Sequence, residues 1–253
     1  MNSAVILKQV PDSEALIKIK PDGSGFVKEG VKFVINPYDE FGVEEALKKK
    51  EAAGSGEVTI VSLGPDRAVE SIRTALAMGA DKGVLLKVGE DQYTDALGVA
   101  KALAEVLKGG GHKLIFCGKQ AIDDDMAQVG PMVAEILGLP CVTVVTKVDI
   151  SGDKAVCTRE IEGGKEVVEV ALPAVIACQK GLNEPRYASL PGIMKAKKKP
   201  LDIKDAKLEA PNAEIVKWEN PPQRAAGRII EGEDASAKAK ALVKALREEA
   251  KVI

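Results

Sequence analysis

Residues 113–130, KLIFCGKQAIDDDMAQVG, pass from a short apolar run, Leu114 to Cys117, through a Gly-Lys step into three successive carboxylates, Asp123, Asp124 and Asp125. A run of that length ending in glycine reads as a buried strand, and PMVAEILG from Pro131 reads as the helix that follows it. AVILKQV from Ala4, EVTIVSLG from Glu57 and GVLLKV from Gly83 have the same strand character. Helical periodicity fills the gaps between these runs. Phe41, Val43, Ala46 and Leu47 are the apolar residues of the first such segment, Val69, Ile72 and Leu76 share a face in the second, and Val99, Leu103, Val106 and Leu107 lie together in the third. Nearly continuous apolar strands alternating with helices predict a doubly wound α/β fold around a mostly parallel sheet. Asp66 is the expected start of the second helix, and Gly79 and Gly109 lie past the expected ends of the second and third.

The chain of 253 residues is 45% hydrophobic and 29% charged, with 36 basic and 38 acidic side chains, so no general nucleic-acid surface is expected. Aromatic residues make up only 3%, which leaves few platforms for stacking bases. No apolar run is long enough for a signal peptide or a membrane span, which predicts a cytoplasmic protein or one of an organelle matrix. The four cysteines, Cys117, Cys141, Cys157 and Cys178, are irregularly spaced within or beside strand-like runs and read as buried free thiols.

KIKPDGSGFVKEG from Lys18 reads as a hairpin around a Pro-Asp-Gly turn. After Pro140, CVTVVTKVDI, AVCTREIEGG and KEVVEVALPAVIACQ are separated by Gly-containing turns and predict an antiparallel extension of the sheet. Beyond Gly181 the sequence becomes Pro-rich, charged and aperiodic before a last helix from Ala235, where Ala239, Leu242, Val243 and Leu246 form an apolar stripe. These features predict a core over residues 1–190 and an extended arm over 191–253 whose terminal helix needs a surface to pack on.

Several common chemistries lack their residues. There is no G-x-G-x-x-G fingerprint or P-loop, and His112 is the only histidine, expected at the surface where a strand begins. Zinc binding and Ser-His-Asp hydrolysis are therefore poorly supported. The aspartate corner remains, because doubly wound proteins bind ligands beyond the carboxyl ends of their strands. With Pro131 opening the helix, the N–H groups of Met126 to Gly130 are expected to be free for an anion. The residues leave two readings open, nucleotide binding at the loop and carboxylate capping of the helix. Lys8, NPYDE from Asn36 and Ser62-Leu63-Gly64 also follow strands and are expected at the same crevice. Lys195, Lys197, Lys198 and Lys199, just after Leu190-Pro191, suggest a charged rim beside an apolar anchor for a protein partner.

Five ordered segments, VKFVINPYDEFGVEEAL, RTALAMGAD, GKQAIDDDMAQVGP, LNEPRYASLPGIMKAKKKP and PPQRAAG, resemble the β subunit family of electron transfer flavoproteins along essentially the whole chain. The resemblance implies a Rossmann-like nucleotide-binding fold and a heterodimer with an α subunit. FAD held mainly by that subunit would carry electrons from flavin dehydrogenases of the acyl-CoA dehydrogenase type toward a quinone reductase. It implies an electron carrier rather than an enzyme, with no catalytic residue in this chain, no metal and a structural AMP.

Carried over by motif, the AMP contacts fall on Ile6, Asn36, Pro37, Tyr38, Asp39, Leu63, Gly118, Lys119, Gln120, Ala121, Ile122, Asp123, Asp124, Asp125, Met126, Ala127, Gln128 and Val129. Glu160 is implied to face the α subunit near its flavin, Leu190 to anchor the docking dehydrogenase, and Lys195 and Lys198 to form the rim of that anchor. AQVGP from Ala127 resembles bifurcating relatives with a second FAD in place of AMP, whereas Asp124 resembles the AMP form. An adenine-nucleotide-hydrolysing or activating enzyme is the alternative of another class.

Overall fold

The computed structural model describes residues 1–224 and 226–253; Ala225, inside the PPQRAAG segment, lies outside the described residues. In chain order the elements are β1 (Ser3–Ile6), β2 (Gln9–Pro11), β3 (Phe33–Ile35), α1 (Pro37–Ala52), β4 (Val58–Gly64), α2 (Ala68–Met78), β5 (Lys82–Lys87), α3 (Ala96–Leu107) and β6 (Leu114–Gly118). They continue with α4 (Val129–Leu137), β7 (Cys141–Ser151), β8 (Lys154–Ile161), β9 (Gly164–Ala171), β10 (Ala174–Cys178), α5 (Leu190–Ala196), β11 (Leu201–Asp205) and α6 (Ala235–Lys244). Two compact units result, Met1–Lys217 and Trp218–Ile253.

The first unit is built on a nine-stranded sheet of order β11-β5-β4-β1-β6-β10-β7-β8-β9. The pairs from β11 to β7 are parallel, and β7-β8-β9 is antiparallel. The fold is thus the doubly wound α/β class. Strand alternation divides the core between two faces. Val5, Leu114, Phe116 and Ile176 pack with Val43 and Leu47 of α1 and Ile72 and Leu76 of α2. Their neighbours Ala4, Ile6, Ile115 and Cys117 pack with Leu103 and Leu107 of α3 and Val133 of α4. Burying each such side chain contributes roughly 1.5–3 kcal/mol, which is why apolar strands and amphipathic helices settle into this sandwich.

Several boundaries differ from the sequence reading for local reasons. AVILKQV divides, because only Ser3–Ile6 joins the main sheet while Gln9–Pro11 pairs antiparallel with Phe33–Ile35. The Lys18 hairpin is held by one bridge, Ile19 to Phe26, with Gly23 at φ 71 in its turn. Helix α2 begins at Ala68, not at Asp66, whose carboxylate pairs with Lys87 at 2.8 Å; the N–H of Ala68 bonds to the Pro65 carbonyl in the preceding turn. KEVVEVALPAVIACQ also divides. Its first half forms the exposed edge β9, while all five residues of β10 are buried and insert between β6 and β7.

The segment after Leu190, which sequence periodicity leaves unassigned, contains α5 and β11. Lys199 Nζ donates to the carbonyls of Leu76 at 2.9 Å and Ala80 at 2.5 Å, and Arg73 of α2 donates to those of Ala196 and Lys199 at 2.6 and 2.8 Å. Each cation thus satisfies carbonyls left open at the end of the other helix. Strand β11 then pairs with β5 at the edge of the main sheet.

In the second unit, the Asp234 side chain caps α6 by accepting from the N–H of Ala237 at 2.7 Å. A π-helical turn, Ala245–Glu249, follows, and Arg228 pairs with Glu249 at 2.6 Å. No residue of α6 is buried, so the stripe that includes Leu242 and Val243 is uncovered within its own unit.

Candidate functional site

The chain runs from β1 outward through β4 to β5, then returns by α3 to β6 on the other side of β1. The segments leaving β1 and β6 therefore flank the point where the winding reverses, where a doubly wound sheet opens a crevice beyond its strand ends. One buried carboxylate joins them. Asp39, in the first turn of α1, accepts from the N–H of Lys8 at 2.7 Å and from the N–H of Gly118 at 2.7 Å. Burial pushes its carboxyl up to about 7 against the pull of those two N–H groups. Asn36, also buried, donates to the carbonyl of Gln120 at 2.9 Å and accepts from the N–H of Ile122 at 3.2 Å. The polar ends of Asn36 and Asp39 are thus committed to backbone on both sides of the crevice.

Gly118 is a requirement of this approach. A Cβ there would stand 2.6 Å from Asp39 Oδ1, 2.6 Å from Tyr38 Cβ and 3.0 Å from Asn36 Nδ2. Gly130 meets a similar limit against Cys117 Sγ, at 2.6 Å.

The aspartates each have a partner. Lys8 Nζ lies 2.8 Å from Asp123 Oδ1 and 2.8 Å from Asp124 Oδ2, bridging the end of β1 to the loop after β6. Burial works against the Lys8 charge, but the two carboxylates outweigh it and hold its ammonium above the ordinary value. Asp125 accepts from Gln120 Nε2 at 2.6 Å. Asp125 and Ala127 have φ of 51° and 54°, a left-handed backbone that turns the loop sharply and is uncommon for alanine.

Helix α4 begins at Val129, two residues before Pro131, which occupies its third position. The missing proline N–H falls among groups that have no intrahelical partner in any case. The expected set of free N–H groups is also one shorter, since Met126 donates to Asp124 Oδ1 at 3.2 Å. Among the described residues the N–H groups of Ala127, Gln128, Val129 and Gly130 have no partner, and Ala127 and Gln128 are exposed. Such a row can hold an oxyanion, and the helix dipole adds to it.

Of the remaining residues expected at the site, Lys119 Nζ stands 5.3 Å from the centre of the half-buried Tyr38 ring, and Pro37 is exposed at the start of α1. Ile6 lies in the α3–α4 face with Leu63 packed against it, while Ala121 is half-buried. The structure brings the segments after β1 and β6 together with the start of α1 through direct contacts, whereas Ile6 and Leu63 stand behind them in the apolar layer.

The residues expected to meet partners lie elsewhere. Leu190 opens α5 and is 80% exposed, with Tyr187 at 98% and Met194 at 66% beside it in sequence. Lys195 and Lys198 are exposed too, but Lys199 is drawn inward onto α2, so it leaves the surface cluster. Glu160, near the end of β8, accepts from Gln179 Nε2 at 3.0 Å. Sequence reasoning missed Arg186, which grips Glu44 at 2.7 Å and Glu51 at 2.6 Å and fastens the Leu190 segment to α1. The signal was an arginine four residues before Leu190 and acidic residues on α1, but nothing local pairs them.

His112 is half-buried rather than a surface residue, because its ring packs over Gly110. All four cysteines are free, with Cys117, Cys157 and Cys178 buried and Cys141 half-buried, and burial raises their thiols, those of Cys141 and Cys157 to about 11. Among the described residues no cluster of three His, Cys, Asp or Glu side chains forms a metal site, and no helix is long and apolar enough to cross a membrane.

A nine-stranded, mostly parallel sheet with its crevice at the point where the winding reverses defines a doubly wound, Rossmann-like α/β protein. The profile of the electron transfer flavoprotein domain family matches residues 24–209, and the chain belongs to that family. It is 48% identical over 229 residues to the electron transfer flavoprotein subunit beta of Syntrophomonas wolfei, covering 90% of this chain and 89% of that one. The subunit beta of Bacillus subtilis is 42% identical over the full length of both chains, and that of Mus musculus is 44% identical over 95% of this chain and 97% of its own.

Proposed function

We propose that the chain is the β subunit of a heterodimeric electron transfer flavoprotein and binds AMP as a structural ligand in the crevice between β1 and β6. The observation that carries this reading is the row of unpartnered N–H groups from Ala127 to Gly130 beside the Lys8–Asp123–Asp124 bridge. The donor set fits a phosphate monoester, since the N–H groups meet the anion while the aspartate charges are drawn off by Lys8. FAD, held mainly by the α subunit, supplies the redox chemistry; this chain contributes binding surfaces and no acid, base or nucleophile. Electrons pass from flavin dehydrogenases of the acyl-CoA dehydrogenase type toward a quinone reductase, in the cytoplasm or a mitochondrial matrix.

Leu190 and its exposed neighbours are the proposed dehydrogenase anchor, with Lys195 and Lys198 as rim charges. Glu160 is proposed to face the α subunit, and the uncovered stripe of α6 to pack on it, in an arm that begins later than residue 191, because β11 belongs to the main sheet. Co-production with the α subunit, followed by acid extraction, tests the assignment: one AMP and one flavin per heterodimer are expected. Two flavins and no AMP refute the AMP form and support the bifurcating reading that AQVGP suggests. A longer dinucleotide at this loop would have to displace the pairing of Asp124 with Lys8. Sustained ATP turnover by the chain alone would refute the carrier reading.

A further inference from the structure

The crevice between β1 and β6 is closed on one side by a lysine whose bonding is incomplete. An ammonium group has three N–H donors. Lys8 uses one on Asp123 and one on Asp124, both at 2.8 Å, and among the described residues the third has no acceptor. Its side chain is 41% exposed, so that donor is open to solvent, and the two aspartates it holds stand a few residues before the N–H row of α4. The backbone of Lys8 is fixed independently, its N–H by Asp39 at 2.7 Å and its carbonyl by the N–H of Asn36 at 2.9 Å. The ammonium is therefore carried on a rigid base, across from the loop whose charge it offsets.

Resting on the nucleotide reading above, we propose that Lys8 is a positioning and specificity residue of the site: it offsets one of the two charges of Asp123 and Asp124 and gives its remaining N–H to the phosphate of a nucleoside monophosphate. Both roles follow from the same geometry. Without the ammonium, an anion approaching Ala127–Gly130 would meet adjacent uncompensated carboxylates, and like charges at such separations repel strongly. With it, part of that charge is offset and the lysine is tied to the loop that leads into the N–H row. The contact discriminates by phosphate, so it favours AMP over adenosine without recognising the base.

The test is calorimetric titration of the full chain, freed of bound nucleotide, with AMP, adenosine and FAD in turn. Lys8→Met is expected to weaken AMP binding about tenfold to a hundredfold, the range for a lost charge-assisted hydrogen bond, with adenosine affinity nearly unchanged. Lys8→Arg is expected to recover most of the AMP affinity. Because Lys8→Met leaves unpaired carboxylates that alone can loosen the loop, the Lys8→Met/Asp123→Asn/Asp124→Asn variant separates the two roles. It is expected to melt like the wild type yet keep the reduced preference for AMP over adenosine seen in Lys8→Met, since only the N–H row remains to hold the phosphate. Unchanged AMP affinity in Lys8→Met, equal losses for AMP and adenosine, or a full return of AMP preference in the triple variant overturns the inference while leaving the nucleotide site intact. A wild-type chain that binds neither AMP nor FAD overturns the nucleotide reading and this one together.

Discussion

Replacing Gly118 by alanine tests whether the crevice is built as described. The added Cβ would fall 2.6 Å from both Tyr38 Cβ and Asp39 Oδ1, and neither can yield easily: one belongs to the first turn of α1, the other is a buried carboxylate bonded on two sides. Overpacking of this kind costs about 1–3 kcal/mol. If the backbone separates to relieve it, the bond from the Gly118 N–H to Asp39 is lost as well, a further contribution of about 1.5–3 kcal/mol for a charged acceptor. The expected loss is thus about 2.5–6 kcal/mol, or a fall in Tm of roughly 5–20 °C at this chain length. Urea melts of the full chain measure it, with retained AMP scored in parallel. Gly138→Ala is the control, since nothing lies within 4 Å of its added Cβ and only its φ of 66° opposes the change. That costs about 1–2 kcal/mol. Equal and small losses at both glycines, with normal AMP, would refute the close approach of α1 to β6.

Asp39 should leave a mark on the pH dependence of stability. With its carboxyl raised from the ordinary 3.8 to about 7, the folded chain keeps a proton that the unfolded chain releases between those values. The stability from this group is complete below the unfolded value and lost as pH rises through the folded one, by at most about 4 kcal/mol. The stability of the wild type relative to Asp39→Asn should therefore be greater at low pH than near pH 8 in urea melts, and a constant difference would contradict the assignment. Arg186→Met leaves Glu44, 7% exposed, without its cation. Because the arginine itself is partly open to water, a loss of about 1–3 kcal/mol is expected, with faster trypsin cleavage around α5; unchanged cleavage would remove Arg186 as the fastening of that segment. Leu190→Ala should slow reduction by the donor dehydrogenase while leaving Tm and flavin content unchanged, since its side chain is already in water. Equal rates would move the docking anchor elsewhere.

The fold class was legible because it depends on periodicity, which is local. Val43 and Leu47, or Ile72 and Leu76, announce their helices and face the core as spaced. The crevice was legible only as a collection of strand ends. That Asp39 meets Gly118 and that Lys8 meets Asp123 depends on partners 79 and 115 residues away, which no window of sequence contains. The same limit explains Lys199, which belongs to a run of lysines by sequence and to the end of α2 by contact. It also explains β10: the continuous apolar stretch hides a change of partner from β8 to β6 and β7, marked only by the Leu172-Pro173 step.

Strand β10 also sets an order of events during synthesis. It fills the place between β6 and β7, yet it leaves the ribosome after both, and β11 reaches the opposite edge later still. Until residues 174–178 emerge, β6 presents an open apolar edge along the very strand that leads into the aspartate loop. A nascent chain arrested just short of β10 should therefore engage chaperones and self-associate more readily than one arrested just beyond it, because unpaired strand edges are what partly made parallel sheets expose.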